Sequence, residues 1–166
     1  MPNWCSNFVT VEGKEKDIER YDSLLRTMMS EQKRVQRGVI PTGMAETGNH
    51  IWLFDMYYQG DQLQFESKWG PISDTFEYIS RLIPDLYITV EYEEPGCEIF
   101  GVDEFHNGDR VIRVTLDEDE TDLEYIDEGE FEGMYKDSKG VTHESESEYY
   151  EEKLHVKRSG NKQPLI

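Results

Sequence analysis

Residues 62–101 read QLQFESKWGPISDTFEYISRLIPDLYITVEYEEPGCEIFG, and their patterning decides the fold. Leu63, Phe65 and Trp69 alternate with Gln62, Gln64, Glu66 and Lys68, which predicts a strand with one buried face. Gly70-Pro71 opens a helix, because proline in the first turn lacks only an N–H that has no partner there. Ile72, Phe76, Ile79, Leu82 and Ile83 recur at helical spacing, and Pro84 stops the run. Leu86, Ile88, Val90 and Tyr92 then alternate with Tyr87, Thr89, Glu91 and Glu93, a second half-buried strand. Glu94-Pro95-Gly96 reads as a turn, and 97–102 as a returning strand.

Upstream, Asn7 to Glu12 is a strand of β-branched and aromatic residues ended by Gly13. Ile18, Tyr21, Leu24, Leu25 and Met28 form the apolar stripe of a helix. Residues 30–49, with Gly38, Pro41, Gly43 and Gly48, predict a long mobile connection. Ile51 to Tyr58 is a strand, turned by Gln59-Gly60-Asp61 into the next. Downstream, Asn107-Gly108 is a hairpin signal followed by a strand over 110–116. The order strand, helix, strand, strand, helix, strand is the split βαβ, ferredoxin-like arrangement. It predicts an α+β sandwich with both helices on one face and a spatial strand order 4-1-3-2. The C-terminal hairpin extends the antiparallel-rich sheet beside strand 4.

A chain of 166 residues, 36% hydrophobic and 32% charged, suits a soluble domain with its own core. No apolar run approaches the ~20 residues of a membrane span, and no signal-peptide pattern opens the chain. A cytoplasmic protein is expected. Cys5 and Cys97 are too few for a disulfide framework or a cysteine-rich zinc site. The net charge of −19 is unevenly placed. Residues 117–152 hold 16 acids against 2 bases, whereas 153–166 hold no acid and 4 bases. Three segments follow: the ferredoxin-like domain over 1–116, an acidic and partly ordered extension over 117–158, and a flexible basic tail over 159–166.

Three motifs, MPNWCSN (1–7), FESKWGPI (65–72) and EPGCEIFG (94–101), resemble the YubB-like ferredoxin-like domain family, carried mainly by phages and plasmids. The N-terminal heptapeptide, with its MPNWC core, is the most specific of the three. That family has Trp-Ser-Pro-Pro where this chain has Trp69-Gly70-Pro71-Ile72, and a tryptophan motif that Asn49-His50-Ile51-Trp52 matches loosely. The acidic region from Asp117 lies outside the shared pattern. The resemblance implies a ferredoxin-like fold and no defined activity. It also implies an accessory protein of a mobile element, a class that often counters host defences.

The acidic extension is the first candidate site. Duplex DNA presents a charge every ~1.7 Å of axis, and the run 117–132 is dense enough to imitate it. Asp117, Glu118, Asp119, Glu120, Asp122, Glu124, Asp127, Glu128, Glu130 and Glu132 are the expected contacts to a basic host protein, such as a defence nuclease. Direct nucleic-acid and membrane binding are disfavoured by charge. An RNA-binding sheet is disfavoured too, since strands three and four offer one tyrosine, Tyr87, among carboxylates. His50, His106, His143 and His155 lack zinc-pair spacing, and Asp103, Glu104 and His106 read as solvated turn residues. No metal, cofactor or catalytic set is expected, so the protein is read as a non-enzymatic inhibitor acting by DNA mimicry. Two other readings stand beside it. One is a small-ligand protein sequestering a nucleotide signal, using residues 30–49 with Trp52 and Tyr58, or a cleft of Asn3, Trp4, Asn7, Trp52, Tyr58 and Trp69. The other is an oligomeric scaffold built by edge-strand pairing.

Overall fold

A computed structural model of the chain describes residues 3–46, 51–127 and 129–161, apart from the side chain of Asp119. The chain divides after Arg113 into two compact units, 1–113 and 114–166; the sequence reading put the boundary after Leu116.

The first unit is built on β1 (Trp4–Glu12), α1 (Glu15–Val35), β2 (Phe54–Gln59), β3 (Gln62–Lys68), α2 (Ser73–Leu82), β4 (Tyr87–Glu94) and β5 (Ile99–His106). With β6 (Asp109–Thr115) they make a six-stranded sheet in the order β2-β3-β1-β4-β5-β6. This is the expected ferredoxin-like order, extended beside β4. β1 sits in the middle and is antiparallel to both neighbours. Asn7 lies opposite Phe65 and Tyr92, and Val9 opposite Leu63 and Val90. Cys5, Val9, Val11, Leu63, Phe65, Ile88, Val90, Tyr92 and Phe105 face a single layer of Tyr21, Leu25 and Met28 from α1 and Phe76 and Ile79 from α2. Both helices therefore cover one face, because every second strand residue is apolar and each helix carries one stripe.

α1 runs six residues further than the expected loop start at Ser30. Glu31, Gln32, Lys33 and Arg34 are good helix formers, and the Arg34 guanidinium donates to the Glu31 carboxylate one turn back. Lys33 and Arg34 also oppose the negative end of the helix dipole. The connection that remains is not simply loose. Val39 is buried and bridges Leu53, and a Cβ at Gly38 would come within 2.6 Å of the Phe54 ring. β2 begins at Phe54 rather than Ile51, and residues 47–50 lie outside the described residues.

Two further corrections concern strand ends. β3 stops at Lys68, so Ser67 takes the buried place and Trp69 leaves the alternation with φ +68°. Cys97 belongs to a 3-10 turn, Pro95–Cys97, and β5 starts at Ile99. The Asn107-Gly108 turn has φ +54° and +82°, the left-handed pair that a two-residue hairpin requires.

Asp103 and Glu104 are buried, not solvated. Asp103 is 1% exposed and accepts from Arg113 Nε at 3.0 Å and Nη2 at 2.8 Å, from Ser73 Oγ at 2.7 Å and from Tyr92 Oη at 3.4 Å. The network ties β5 to β4, to the start of α2 and to β6. Glu104 takes the hydroxyl of Tyr87. Removing Arg113 leaves the buried carboxylate with Ser73, Tyr92 and only the more distant Arg110, at 3.8 Å, as its cation, while removing Asp103 leaves a guanidinium side chain that is already 44% exposed. Arg113→Ala is therefore expected to cost roughly 3 kcal/mol in urea melts, and more than Asp103→Ala; equal losses would show that the ion pair is not what orders this corner.

Candidate functional site

The three sequence motifs meet at one end of the sheet. Trp69 N–H donates to the Asn3 carbonyl at 3.0 Å, adding one rung beyond the Trp4–Lys68 pair. Asn3 Nδ2 in turn reaches Cys97 Sγ at 3.2 Å. A left-handed φ is a strained choice for a bulky aromatic residue, of order 1–3 kcal/mol. The surroundings fix it. Asn7 Nδ2 donates to the Cys5 carbonyl and to Ser67 Oγ, both at 2.8 Å, and Ser67 Oγ donates to the Gly70 carbonyl at 2.7 Å. The chain Asn7, Ser67, Gly70 thus holds the turn that carries Trp69, whose residue is 51% exposed.

On the helix side of this end stands Glu94, 2% exposed. The Cys97 thiol is hydrogen-bonded to its carboxylate, which raises the thiol's pKa above the usual value. Burial pushes Cys5 up to about 12, with the negative charge of Glu94 adding to it. Glu94 Oε2 and Asn7 Oδ1 are buried acceptors without a hydrogen-bond partner among the described residues. On the opposite face, Trp4 is 42% exposed and packs edge-on to Phe54 at 5.3 Å, with Lys68 Nζ over both rings.

That open face carries more aromatic surface than strands three and four alone suggested. Phe54 pairs with Glu66 and Tyr57 with Gln64, while Phe8 lies between Gln64 and Glu91, so all three share it with Trp4 and Tyr87. Glu66, Glu91 and Glu93 lie among them, which leaves the face hostile to phosphate. The expected cleft is only partly assembled. Asn3, Asn7 and Trp69 come together at this sheet end while Trp4 lies on the opposite face with Phe54, and Tyr58 packs edge-on against Tyr21 and Trp52 lies under Arg37. A bulge between Phe54 and Tyr57 shifts the register and turns Tyr58 to the core side. A hollow of about 590 Å³ beside α1 is lined by Asp22, Arg26, Glu31 and Thr42, without Trp52 or Tyr58.

The second unit turns the acidic stretch into defined structure. It holds α3 (Glu118–Thr121), β7 (Leu123–Tyr125), β8 (Tyr135–Asp137), β9 (Thr142–His143) and α4 (Glu146–Asn161), with β7, β8 and β9 forming a three-stranded sheet. The expected flexible tail is helical through Asn161, and 162–166 lie outside the described residues. Asp117 and Glu120 form a reciprocal capping box on α3. Lys157 donates to Asp117 Oδ2 at 2.9 Å and to Glu120, and the bond to Lys157 holds the Asp117 carboxyl below the usual range. Asp137 Oδ1 accepts from Lys139 N at 3.0 Å and Val141 N at 2.9 Å. The Val141 bond leads the causes that depress its pKa, and His143 adds to them.

Asp117, Glu120 and Asp137 therefore serve the fold. Of the expected contacts, Glu118, Asp122, Glu124, Asp127, Glu130 and Glu132 are exposed. The side chain of Asp119 and residue Glu128 lie outside the described set. What sequence reasoning missed was Glu94, which reads as half of a turn signal; its place opposite Cys5, in the strand phase that faces the helices, was the available clue. Among the described residues, no group of three His, Cys, Asp or Glu side chains is placed to hold a metal ion, and no helix is long and apolar enough to cross a membrane.

The fold is thus a ferredoxin-like α+β sandwich. Residues 51–137 match the family described as the ferredoxin-like domain in Api92-like protein, and the chain belongs to that family. No curated protein and no solved structure matches the chain. The matched span begins after the N-terminal heptapeptide and ends at Asp137. The matched span includes the acidic stretch 117–132.

Cys97 is exposed yet bonded to a carboxylate. The thiolate is the reactive species, so Cys97 should alkylate more slowly at pH 7.5 than an ordinary exposed thiol. Its rate profile should be displaced to higher pH. Glu94→Gln should bring the profile down and speed the reaction several-fold, followed by iodoacetamide labelling and mass spectrometry; no change in the variant would separate Glu94 from the thiol.

Proposed function

We propose that this protein is a non-enzymatic binding protein whose acidic C-terminal unit occupies a basic, nucleic-acid-binding surface of another protein. The observation that carries the reading is the division of labour among the carboxylates. Asp117 and Glu120 are bound to Lys157 and the α3 cap. Glu118, Asp122, Glu124, Asp127, Glu130 and Glu132 are exposed, with Glu118 on α3, Glu124 on β7 and the Glu132 N–H bonded to the Gly129 carbonyl. No lysine or arginine interrupts 117–132. Such a surface steers cationic partners and competes for them with phosphate. Lys136 and Lys139 line a hollow with Asp122 and Glu124, so these two carboxylates share their surroundings with cations.

The finer identity follows the same line. The chain is a relative of the YubB-like proteins of phages and plasmids and works in the host cytoplasm. Its partner is a defence nuclease or another basic nucleic-acid-binding protein, which it inhibits by keeping nucleic acid out. The bulge in the edge strand β2 and the positive φ of Asp55 within it discourage edge-to-edge pairing, which favours an inhibitor over a self-assembling scaffold.

The test mixes the protein with purified basic nucleases and follows DNA cleavage across a salt series. Inhibition should weaken steeply between about 50 and 300 mM salt, as charge pairing requires. Reversing Asp122, Glu124, Asp127 and Glu130 to lysine should weaken it at least tenfold. Inhibition that survives the reversal rules out occlusion by the acidic surface.

A further inference from the structure

The sheet end at Glu94 has a property that packing does not account for. Two acceptors, Glu94 Oε2 and Asn7 Oδ1, are buried without a donor among the described residues, on residues 2% and 4% exposed. They belong to adjacent rows of the same sheet face. Asn7 stands opposite Tyr92, and Glu94 follows two residues later on the same strand phase. An unsatisfied buried acceptor costs about 1–3 kcal/mol, and a charged one more. The donors nearby are engaged: Asn7 Nδ2 with Cys5 and Ser67, Ser67 Oγ with Gly70, Asn3 Nδ2 with Cys97, and the Cys97 thiol with Glu94 itself.

The rim has its own unexplained cost. The backbone of Trp69 adopts a left-handed conformation, and half of the residue faces solvent instead of core. Asn3 links it to the buried carboxylate, since its carbonyl takes the Trp69 N–H and its amide touches Cys97. Glu98 is exposed close by, Glu93 points to the other face, and the cation at this end, Lys68, is turned to that other face over Trp4 and Phe54. Acceptors without donors, excess negative charge and an exposed indole are complementary to one kind of ligand. It carries positive charge and N–H donors together. A phosphate-bearing ligand would meet carboxylates instead.

We propose that the Glu94 end of the sheet binds an organic cation bearing N–H donors, an alkylammonium or guanidinium head, with Glu94 and Asn7 accepting its hydrogen bonds and Trp69 at the rim. Entry requires the Pro95–Cys97 turn to give way, because the orphan oxygens lie beneath the surface. Glu94 then exchanges the hydrogen bond from the Cys97 thiol for one donated by the ligand.

The full chain is titrated with arginine amide, tetramethylammonium and methylurea while tryptophan fluorescence is followed. Arginine amide should give a saturable change at one site. Tetramethylammonium, which has charge but no N–H, and methylurea, which has N–H but no charge, should both bind at least tenfold more weakly. Glu94→Gln should weaken arginine amide tenfold or more. Trp69→Ala, an exposed substitution that leaves the core intact, should weaken it several-fold. A blocked tripeptide with central arginine distinguishes the sources: tighter binding than arginine amide points to a polypeptide side chain, and equal or weaker binding to a free amine. The proposal is overturned by no saturable response to arginine amide, by an equal response to tetramethylammonium, or by unchanged affinity in both variants. It is also overturned by a crystal soaked in arginine amide that shows only a water at Glu94 Oε2.

Discussion

The placement of β1 between β3 and β4 is the constraint on which the first unit depends. Nine residues at the start of the chain make both of the central antiparallel pairings of the six-stranded sheet. Side chains alternate across a strand, so a slip of one residue would turn Cys5, Val9 and Val11 out of the core and Trp4, Ser6 and Phe8 into it. The same register brings Asn7 against Ser67, Cys5 beside Glu94, and Asn3 against Trp69 and Cys97. The core and the polar cluster at the sheet end are two consequences of one pairing. Packing alone does not explain the polar cluster, because apolar residues at Asn7 and Glu94 would fill the same positions without orphaned acceptors.

Charge is managed differently in the two units. In the first, carboxylates are drawn inside and matched: Asp103 by Arg113, Ser73 and Tyr92, and Glu104 by Tyr87. In the second, a few carboxylates build the fold and most of the other described ones are exposed. Asp117 and Glu120 cap α3 and hold Lys157 of α4, while Asp137 closes the turn before β9. The pH consequence follows from the depressed pKa of Asp117 and Asp137. Their stabilising contribution is present above the ordinary carboxylate range and is lost as pH falls through their lowered values.

The framework was legible in the sequence because its signals were local and periodic. Leu63 and Phe65, Ile88 and Val90, the stripe Phe76–Ile79, and Asn107-Gly108 each specify one element, and their order specifies the topology. Errors arose where a signal was shared. Trp69 continued the apolar alternation but follows the strand rather than ending it, because Ser67 holds the buried position through Asn7 and Gly70. Ser30 looked like a loop start, yet the residues behind it favour helix. In the acidic stretch, charge density concealed Asp117 and Glu120 as a cap and Lys157, far along the chain, as their partner. The sheet-end site was half visible: Asn3, Trp4, Asn7 and Trp69 stood in the motifs, while Glu94 and Cys97 join them only through the register of β1 with β4.

The described carboxylates of 117–132 stand on a folded unit rather than on a loose strand. Amide hydrogen exchange on the full chain checks this. The N–H groups of Glu120, Thr121, Ile126, Gly133 and Asp137 are bonded to the carbonyls of Asp117, Asp117, Met134, Ile126 and Val141. They should exchange well below the unprotected rate, together with the amides of α4. Exchange at the unprotected rate throughout 117–161, beside a protected sheet in 1–113, would contradict the account.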